Sequence, residues 1–311
     1  MSVIWTDVGP RDGLQNLNEA AARAATTDVK VRLVRGLLDA GLPRVEATSF
    51  VSPSWVPLMA DAAAVLAGVG SSWLPRLRVL VPNLRGLELA LEQGVTNVVV
   101  TIAATDSFNR RNVNRSVEES IDELDGILAA AGDDCVVDVA LSVAFGCPFE
   151  GWVDPEGVRR LCARLADMGC AEISVADTIG VAVPLQVTQL CGELVADLGE
   201  DRVALHVHDT RGLGVANVLA AREAGVTRFE GSVGGLGGCP FAPRSTGNVC
   251  SEDALNALRA AGEDLGGIDL EALCEVATRL GEDLGISLPG RLHRAGVWHP
   301  ERIGTAPLAA G

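Results

Sequence analysis

The chain has 311 residues and a mass near 32.3 kDa, enough for one large domain or two ordinary ones. It is 48% hydrophobic, and 25 basic residues stand against 41 acidic ones, for a net charge of −16. A full core is available, while a general nucleic-acid or anionic-membrane binder is excluded by the missing basic surface. There is no Tyr, so no catalytic phenol. The only lysine, Lys30, falls in the apolar stripe of a predicted helix and reads as a snorkelling surface residue. Schiff-base and pyridoxal chemistry, which need a lysine in the pocket, are therefore set aside.

Short β-branched or small apolar segments alternate with amphipathic ones along the chain. Strands are predicted at Val3–Val8, Arg44–Ser49, Leu77–Val81, Asn97–Ala103, Val136–Val143, Glu172–Ala176, Val203–His208 and Arg228–Val233. Helices are predicted at Asp28–Ala40, Trp55–Ala67, Leu84–Glu92, Val117–Ala131, Pro155–Met168, Pro184–Leu198, Val215–Ala224 and Glu252–Ala261. Ser116 with Glu119 forms a capping box, and Asp154-Pro155 opens the next helix. This is the pattern of an α/β fold, a (β/α)₈ barrel of the TIM type. A doubly wound sheet would want a glycine fingerprint after the first strand, and the turn there is GPRDGLQ. Residues 1–265 are assigned to the barrel. Residues 266–311 are assigned to a further helix near Leu270–Leu284 and an irregular tail packed on it.

Eight cysteines contain no C-x-x-C pair, no signal peptide is evident, and no apolar run approaches a membrane span. A cytoplasmic protein with reduced thiols is expected.

In a barrel, chemistry belongs at the C-terminal ends of the strands. The first strand ends in Asp7-Val8-Gly9-Pro10-Arg11-Asp12, the sixth in Ala176-Asp177-Thr178, and the seventh carries His206-Val207-His208. His206 and His208, at i and i+2, share a face, which points to the barrel interior. Two imidazoles there suit a divalent metal, with Asp12 and Asn248 completing a nitrogen–oxygen set. The competing reading is a pair of hydrogen-bonded core histidines. No thiolate is required, so Mg²⁺ or Mn²⁺ fits, and Zn²⁺ or Co²⁺ stays open. Arg11 is either an ion-pair partner of Asp12 or a guanidinium directed at substrate oxygen. The loop Ser232–Pro240 is rich in glycine and carries Cys239. It reads either as a lid bearing a thiol or as a close backbone approach around an inert cysteine, and Cys147 is the competing thiol. Arg110, Arg111 and Arg115 form the densest basic stretch, either a solvated helix start or a site for phosphate groups.

The stretches DVGPRDGLQN, VEATSFVSPSWVPLMAD, GCPFEG, EISVADTIGV, HVHDT and SVGGLGGCPFAPRSTGN, in that order, resemble the 3-hydroxy-3-methylglutaryl-CoA lyase family. The resemblance implies Asp12, His206, His208 and Asn248 as metal ligands. It implies Arg11 as the residue stabilising an acetyl-CoA enolate, Asp177 and His206 as acid–base groups, and Cys239 as a lid cysteine. Gln15, Glu46 and Glu252 match residues of the same active-site region and, with Ser142, Thr178, Arg110 and Arg111, are taken as substrate-binding candidates. The implied reaction is a retro-Claisen cleavage of an acyl-CoA, 3-hydroxy-3-methylglutaryl-CoA or a close 3-alkyl relative, to acetyl-CoA and a ketoacid. The alternatives are a condensing synthase of the same superfamily, a related aldolase, or a non-catalytic binding barrel. A homodimer is expected. The chain departs from the family pattern on the fifth strand, where Asp138 and Ala140 stand in place of the Arg and Tyr often found. With Ser142 and Ala144 on the same face, a roomier acyl pocket is expected.

Overall fold

The computed structural model describes residues 2–238 and 247–299. Eight parallel strands close into a barrel in strict sequential order: β1 (Ile4–Asp7), β2 (Arg44–Ser49), β3 (Leu77–Leu80), β4 (Asn97–Ala103), β5 (Val136–Ser142), β6 (Ile173–Asp177), β7 (Val203–Val207) and β8 (Arg228–Gly231). β1 closes the ring by pairing with β8, Ile4 opposite Arg228 through Asp7 opposite Gly231. Every predicted strand is present, because each carries enough branched apolar residues to be buried on its outer face by helices. Val45, Val98, Val100, Val139, Leu141, Val175, Leu205 and Phe229 form that outer layer.

The inner layer is unusual for a barrel core, where branched apolar side chains predominate. Arg78, Glu46, Asp138, Glu172 and Glu230 all lie inside, each no more than 3% exposed. A register shift between Glu46 and Thr48 marks a bulge in β2 that leaves Glu46 beside Arg78 of β3. Below them, Arg44 binds Asp138, Glu172 and the Thr6 hydroxyl, and Arg228 binds Glu172. Burial of this many charges is tolerable only because opposite signs alternate within hydrogen-bonding distance.

The helices at Leu84–Glu92, Val117–Ala131 and Pro184–Leu198 have the predicted limits. The Ser116–Glu119 capping box and the Asp154 cap are both formed. The predicted helix Trp55–Ala67 is instead a 3₁₀ turn at Pro57–Met59 followed by a helix at Ala62–Val69. The ring of Pro57 disfavours helical backbone at Val56, which sits at φ −131°, ψ 82°, and this prevents a helix from running on from Trp55. Three α-helices were unexpected among the described residues: Glu19–Ala24, capped by the Asn18 side chain, Asp106–Val113, and the short Leu292–Ala295 in the tail. Lys30 is not a snorkelling surface residue. It is 5% exposed, and its ammonium binds Asp61 at 2.7 Å and the Leu58 carbonyl, because the segment after Trp55 folds over it.

Helix Leu270–Leu284 packs against helix Thr27–Asp39 and against the turn Val233–Gly235. The segment after it reaches the same turn, where the Gly290 amide donates to the Gly234 carbonyl at 2.9 Å. Among the described residues, no helix is long and apolar enough to cross a membrane.

Candidate active site

A cavity of about 480 Å³ opens at the C-terminal mouth of the barrel. At its base β1 runs into a tight turn. The amides of Arg11, Asp12 and Gly13 all converge on the Val8 carbonyl, and Pro10 supplies the fixed φ that starts the turn. The turn directs Arg11 and Asp12 into the mouth as neighbours, their side chains joined at 2.9 Å. β7 brings His206 and His208 onto the same inner face, ring centroids 5.3 Å apart. One ligand atom from each of Asp12, His206 and His208 lies within 4.8 Å of the others, the spacing of a metal site.

Asn248 joins them from the far side of the glycine loop. Its amide nitrogen donates to Asp12 Oδ2 at 2.8 Å, leaving its Oδ1 buried and without a partner. His208 Nδ1 is likewise buried and unpartnered. Buried unpartnered atoms occur elsewhere in the described residues, but these two stand beside a carboxylate and a second imidazole, a donor set that fits a cation. The glycines make the arrangement possible. Gly237 has φ +137°, and a Cβ on it would sit 2.8 Å from the Asn248 amide nitrogen. A Cβ on Gly247 would meet the Gly237 carbonyl carbon at 2.4 Å. At these two positions the run allows close backbone approach, which seats Asn248. Cys239 lies outside the described residues.

The electrostatics agree with a cation site. Burial pushes the Asp12 carboxyl upward, but Arg11 and the two imidazoles hold it below its ordinary value. Burial and the neighbouring His206 press His208 down to about 4, so it is neutral and free to ligate. Burial also presses on His206, yet its bond to Glu230 raises it above the usual histidine value. That bond joins Nδ1 to Glu230 Oε2 at 2.9 Å, so Nε2 is the nitrogen left to face a cation.

The other predicted residues divide. Gln15, Ser142 and Thr178 line the cavity; Gln15 donates to Asp12 at 2.8 Å, and Thr178 accepts the Val143 amide. Ala140, Ala176 and Thr101 complete that wall, whereas Asp138 and Ala144 do not contribute to it. Asp138 lies deeper, paired with Arg44, so only part of the expected small wall is present.

Glu46 does not face the cavity. Fully buried, it accepts from Arg11 Nε and from Arg78. Glu252 is also fully buried, receiving the Gly234 amide at 2.9 Å and facing His293 at 3.2 Å. Both act behind the site. Arg110 is spent on surface pairs with Asp106 and Glu119, and Arg111 stacks over Phe149, its guanidinium 4.0 Å from the ring centre. The unexpected helix Asp106–Val113 turns both outward, and the third arginine of that stretch, Arg115, lines the cavity instead. Asp177 is buried off the cavity wall, its two oxygens accepting the amides of Val181 and Ala182 at 2.9 Å each. Cys147 is buried off the wall too, accepting from Thr105 at 3.2 Å.

Glu230 and Trp55, not anticipated, both line the cavity. The signal for Glu230 was its period-2 spacing from Arg228, which puts a charge inside a barrel strand. Trp55 stands 73% exposed at the rim.

The model of the HMGL-like family matches residues 2–280. The (R)-citramalyl-CoA lyase of Chloroflexus aurantiacus is 41% identical over 317 residues, 98% of each chain. A Pseudomonas aeruginosa protein described as 3-hydroxy-3-isohexenylglutaryl-CoA/hydroxy-methylglutaryl-CoA lyase is 42% identical over 290 residues, 93% of this chain and 95% of that one. Among solved structures, an HMG-CoA lyase from Acinetobacter baumannii in complex with coenzyme A and 3-methylmalate superposes with a TM-score of 0.88 at 34% identity, covering 96% of this chain and 97% of that one. With a closed sequential barrel and these relatives along nearly its whole length, the chain belongs to the HMGL-like family of carbon–carbon lyases.

Proposed function

We propose that the protein cleaves 3-hydroxy-3-methylglutaryl-CoA, or a close 3-hydroxy-3-alkylglutaryl-CoA, to acetyl-CoA and the matching ketoacid, with Mg²⁺ or Mn²⁺ as cofactor. The observation that carries this is the convergence of ligand atoms from Asp12, His206 and His208 within 4.8 Å of one another, beside Arg11 and with Asn248 bonded to Asp12. Asp12, His206, His208 and Asn248 would hold the cation, and their mixed oxygen and imidazole donors without thiolate favour Mg²⁺ or Mn²⁺ over soft metals. When bound, a divalent cation lowers the pKa of a substrate hydroxyl and polarises it for bond cleavage.

The chain's own residues do the rest. Arg11 is held by Glu46 and Asp12 and cannot lose its proton, so it is a fixed positive charge for a developing enolate oxygen. Gln15 fixes the Asp12 carboxylate. Asp177, raised by burial, is our candidate proton acceptor; reaching the hydroxyl requires it to release the amides of Val181 and Ala182. Cys239, carried by the glycine loop, is our candidate for completing protonation of the product. Arg115 lines the rim but is paired with Glu123 at 3.0 Å, so a phosphate of the coenzyme would have to share it with that carboxylate. The free, buried state of the seven described cysteines supports a reducing, cytoplasmic setting.

A second reading has a specific basis, the relative named (R)-citramalyl-CoA lyase that matches 98% of both chains. Citramalyl-CoA shares the thioester, the tertiary methyl carbinol and the carboxylate, with one methylene fewer. The same site would release pyruvate rather than acetoacetate. Metal-stripped protein given each acyl-CoA with Mn²⁺ separates the two by their ketoacids. Acetoacetate release from the glutaryl ester at the higher kcat/KM is the expected result. A clear preference for citramalyl-CoA would overturn the substrate assignment, and absence of cleavage of either would overturn the function.

A further inference from the structure

Between the two functional groups of the mouth, the guanidinium of Arg11 and the imidazole of His206, there is no direct bond. Each is held from beneath by a buried carboxylate, Arg11 by Glu46 and His206 by Glu230. Both carboxylates use their second oxygen on one and the same side chain. Arg78 Nη2 donates to Glu46 Oε2 at 2.6 Å and to Glu230 Oε1 at 2.5 Å, and its Nε donates to Glu46 Oε2 at 2.9 Å. Arg78 is on β3, Glu46 on β2 and Glu230 on β8, so the guanidinium spans the lumen. Its remaining amino group faces Glu172 at 3.5 Å and Asp138 at 3.7 Å. It is fully buried and does not line the cavity at the mouth.

We propose that Arg78 is a positioning residue for the reaction: through Glu46 and Glu230 it sets the spacing of the Arg11 guanidinium from the His206 metal-ligating nitrogen. The proposal rests on the reaction and metal site proposed above. A planar guanidinium offers donors at fixed angles, so two carboxylates bound to one nitrogen edge cannot move independently. Glu230 turned away would release His206; Glu46 turned away would release Arg11. Arg78 makes either movement a disturbance of both. A lysine retains the charge but offers a rotating point donor and cannot hold the two carboxylates in one fixed geometry.

The neighbouring Arg44 provides the control. It is partly buried, its side chain 17% exposed, and belongs to the same network, on Asp138, Glu172 and Thr6, but touches neither Glu46 nor Glu230. Full-length Arg78→Lys and Arg44→Lys are compared by melting temperature, by Mn²⁺ binding with the metal alone, and by steady-state kinetics. Arg78→Lys is expected to weaken Mn²⁺ binding and to lower kcat, each about 10- to 100-fold, with KM within about threefold, as for other losses of outer-shell support. Arg44→Lys is expected to lower the melting temperature, by less than Arg78→Lys because Arg44 is partly exposed, and to leave Mn²⁺ affinity and kcat within about twofold. Equal effects of the two variants on Mn²⁺ affinity, or an unchanged affinity in Arg78→Lys, would overturn the proposal. The Mn²⁺ readout stands even where neither acyl-CoA is cleaved, so failure of the substrate reading is told apart from failure of this one. Should Arg78→Lys not fold, Arg78→Gln combined with Asp138→Asn removes one charge of each sign and carries the same expectation.

Discussion

The mouth and the interior of this barrel are built from the same residue types and use them in opposite ways. Inside, Arg44, Arg78 and Arg228 are interleaved with Glu46, Asp138, Glu172 and Glu230, and each charge ends on an opposite charge. At the mouth, Asp12 is drawn down by three neighbours, His208 is kept neutral, and two buried atoms are left without partners. Paired charges fix geometry in the interior, although Asp138 Oδ1 and Arg228 Nε are buried there without a partner. The mouth differs in kind, because its unpartnered atoms stand with Asp12 and His206, whose ligand atoms and that of His208 lie within 4.8 Å of one another. Glu46 and Glu230 are the joints between the two regions, each with one oxygen in either.

The difference is broken most completely from the mouth. His206→Ala removes a proposed metal ligand and leaves Glu230 without its upper partner. Activity is expected to fall on the order of 1,000-fold or more, the several kcal/mol that a bound cation contributes. Chelation of the native protein should reproduce the loss and added Mn²⁺ should reverse it. Chelated protein with full activity would remove the metal from the reaction. A smaller effect is expected one step below. Glu230→Gln keeps the shape but weakens the hold on His206, and Mn²⁺ affinity should drop about 10- to 100-fold. Affinity within twofold of the native value would show that the imidazole is oriented without that carboxylate.

The mouth was more legible in the sequence than the interior, for a physical reason. His206 and His208 declare themselves by period 2, and Arg11 and Asp12 by standing at a strand end, so local spacing was enough. The interior network depends on which strands face each other across the lumen and on the bulge between Glu46 and Thr48. No local pattern reports that, and Glu46 was accordingly expected to touch substrate. The arginine cluster failed in the same way. Whether Arg110, Arg111 or Arg115 reaches the cavity depends on where the helix Asp106–Val113 starts and ends. That helix stops at Asn114 in a left-handed conformation, φ 57°, which is what separates Arg115 from the other two. The eight strands were found at nearly their true limits because burial of the outer layer leaves a strong apolar signal in each.

The cavity wall offers a test of intermediate size. Ala140, Ser142, Thr101 and Ala176 are small residues on adjoining strands. If they accommodate the 3-substituent, Ala140→Leu should penalise longer 3-alkyl esters over the methyl ester by about 10-fold or more in kcat/KM, the scale of one or two methylenes in an apolar pocket. An equal loss on both esters would place the substituent elsewhere.

The smallest effect is on stability, and it lies where the two regions meet at the end of β1. Asp7 is completely buried. Burial raises its carboxyl, bonds from Ser251 and the Gly9 amide oppose the rise, and the nearby Glu252 adds to it, bringing the group to about 7 from 3.8. An acid whose pKa is higher in the folded state is protonated there while the unfolded chain has already lost its proton. Stability from this group is therefore undiminished below about 4, declines as pH rises through the interval, and reaches its full deficit above about 7. Asp7→Asn keeps an acceptor for Gly9 and provides a donor for Ser251, whose oxygen already receives the Trp5 ring N–H. The variant should melt at a higher temperature than the native protein at pH 8, with the advantage shrinking toward pH 5, measured in chelator at both values. An advantage that does not change with pH would mean that Asp7 keeps its charge when buried, with Ser251 and Gly9 sufficient to hold it.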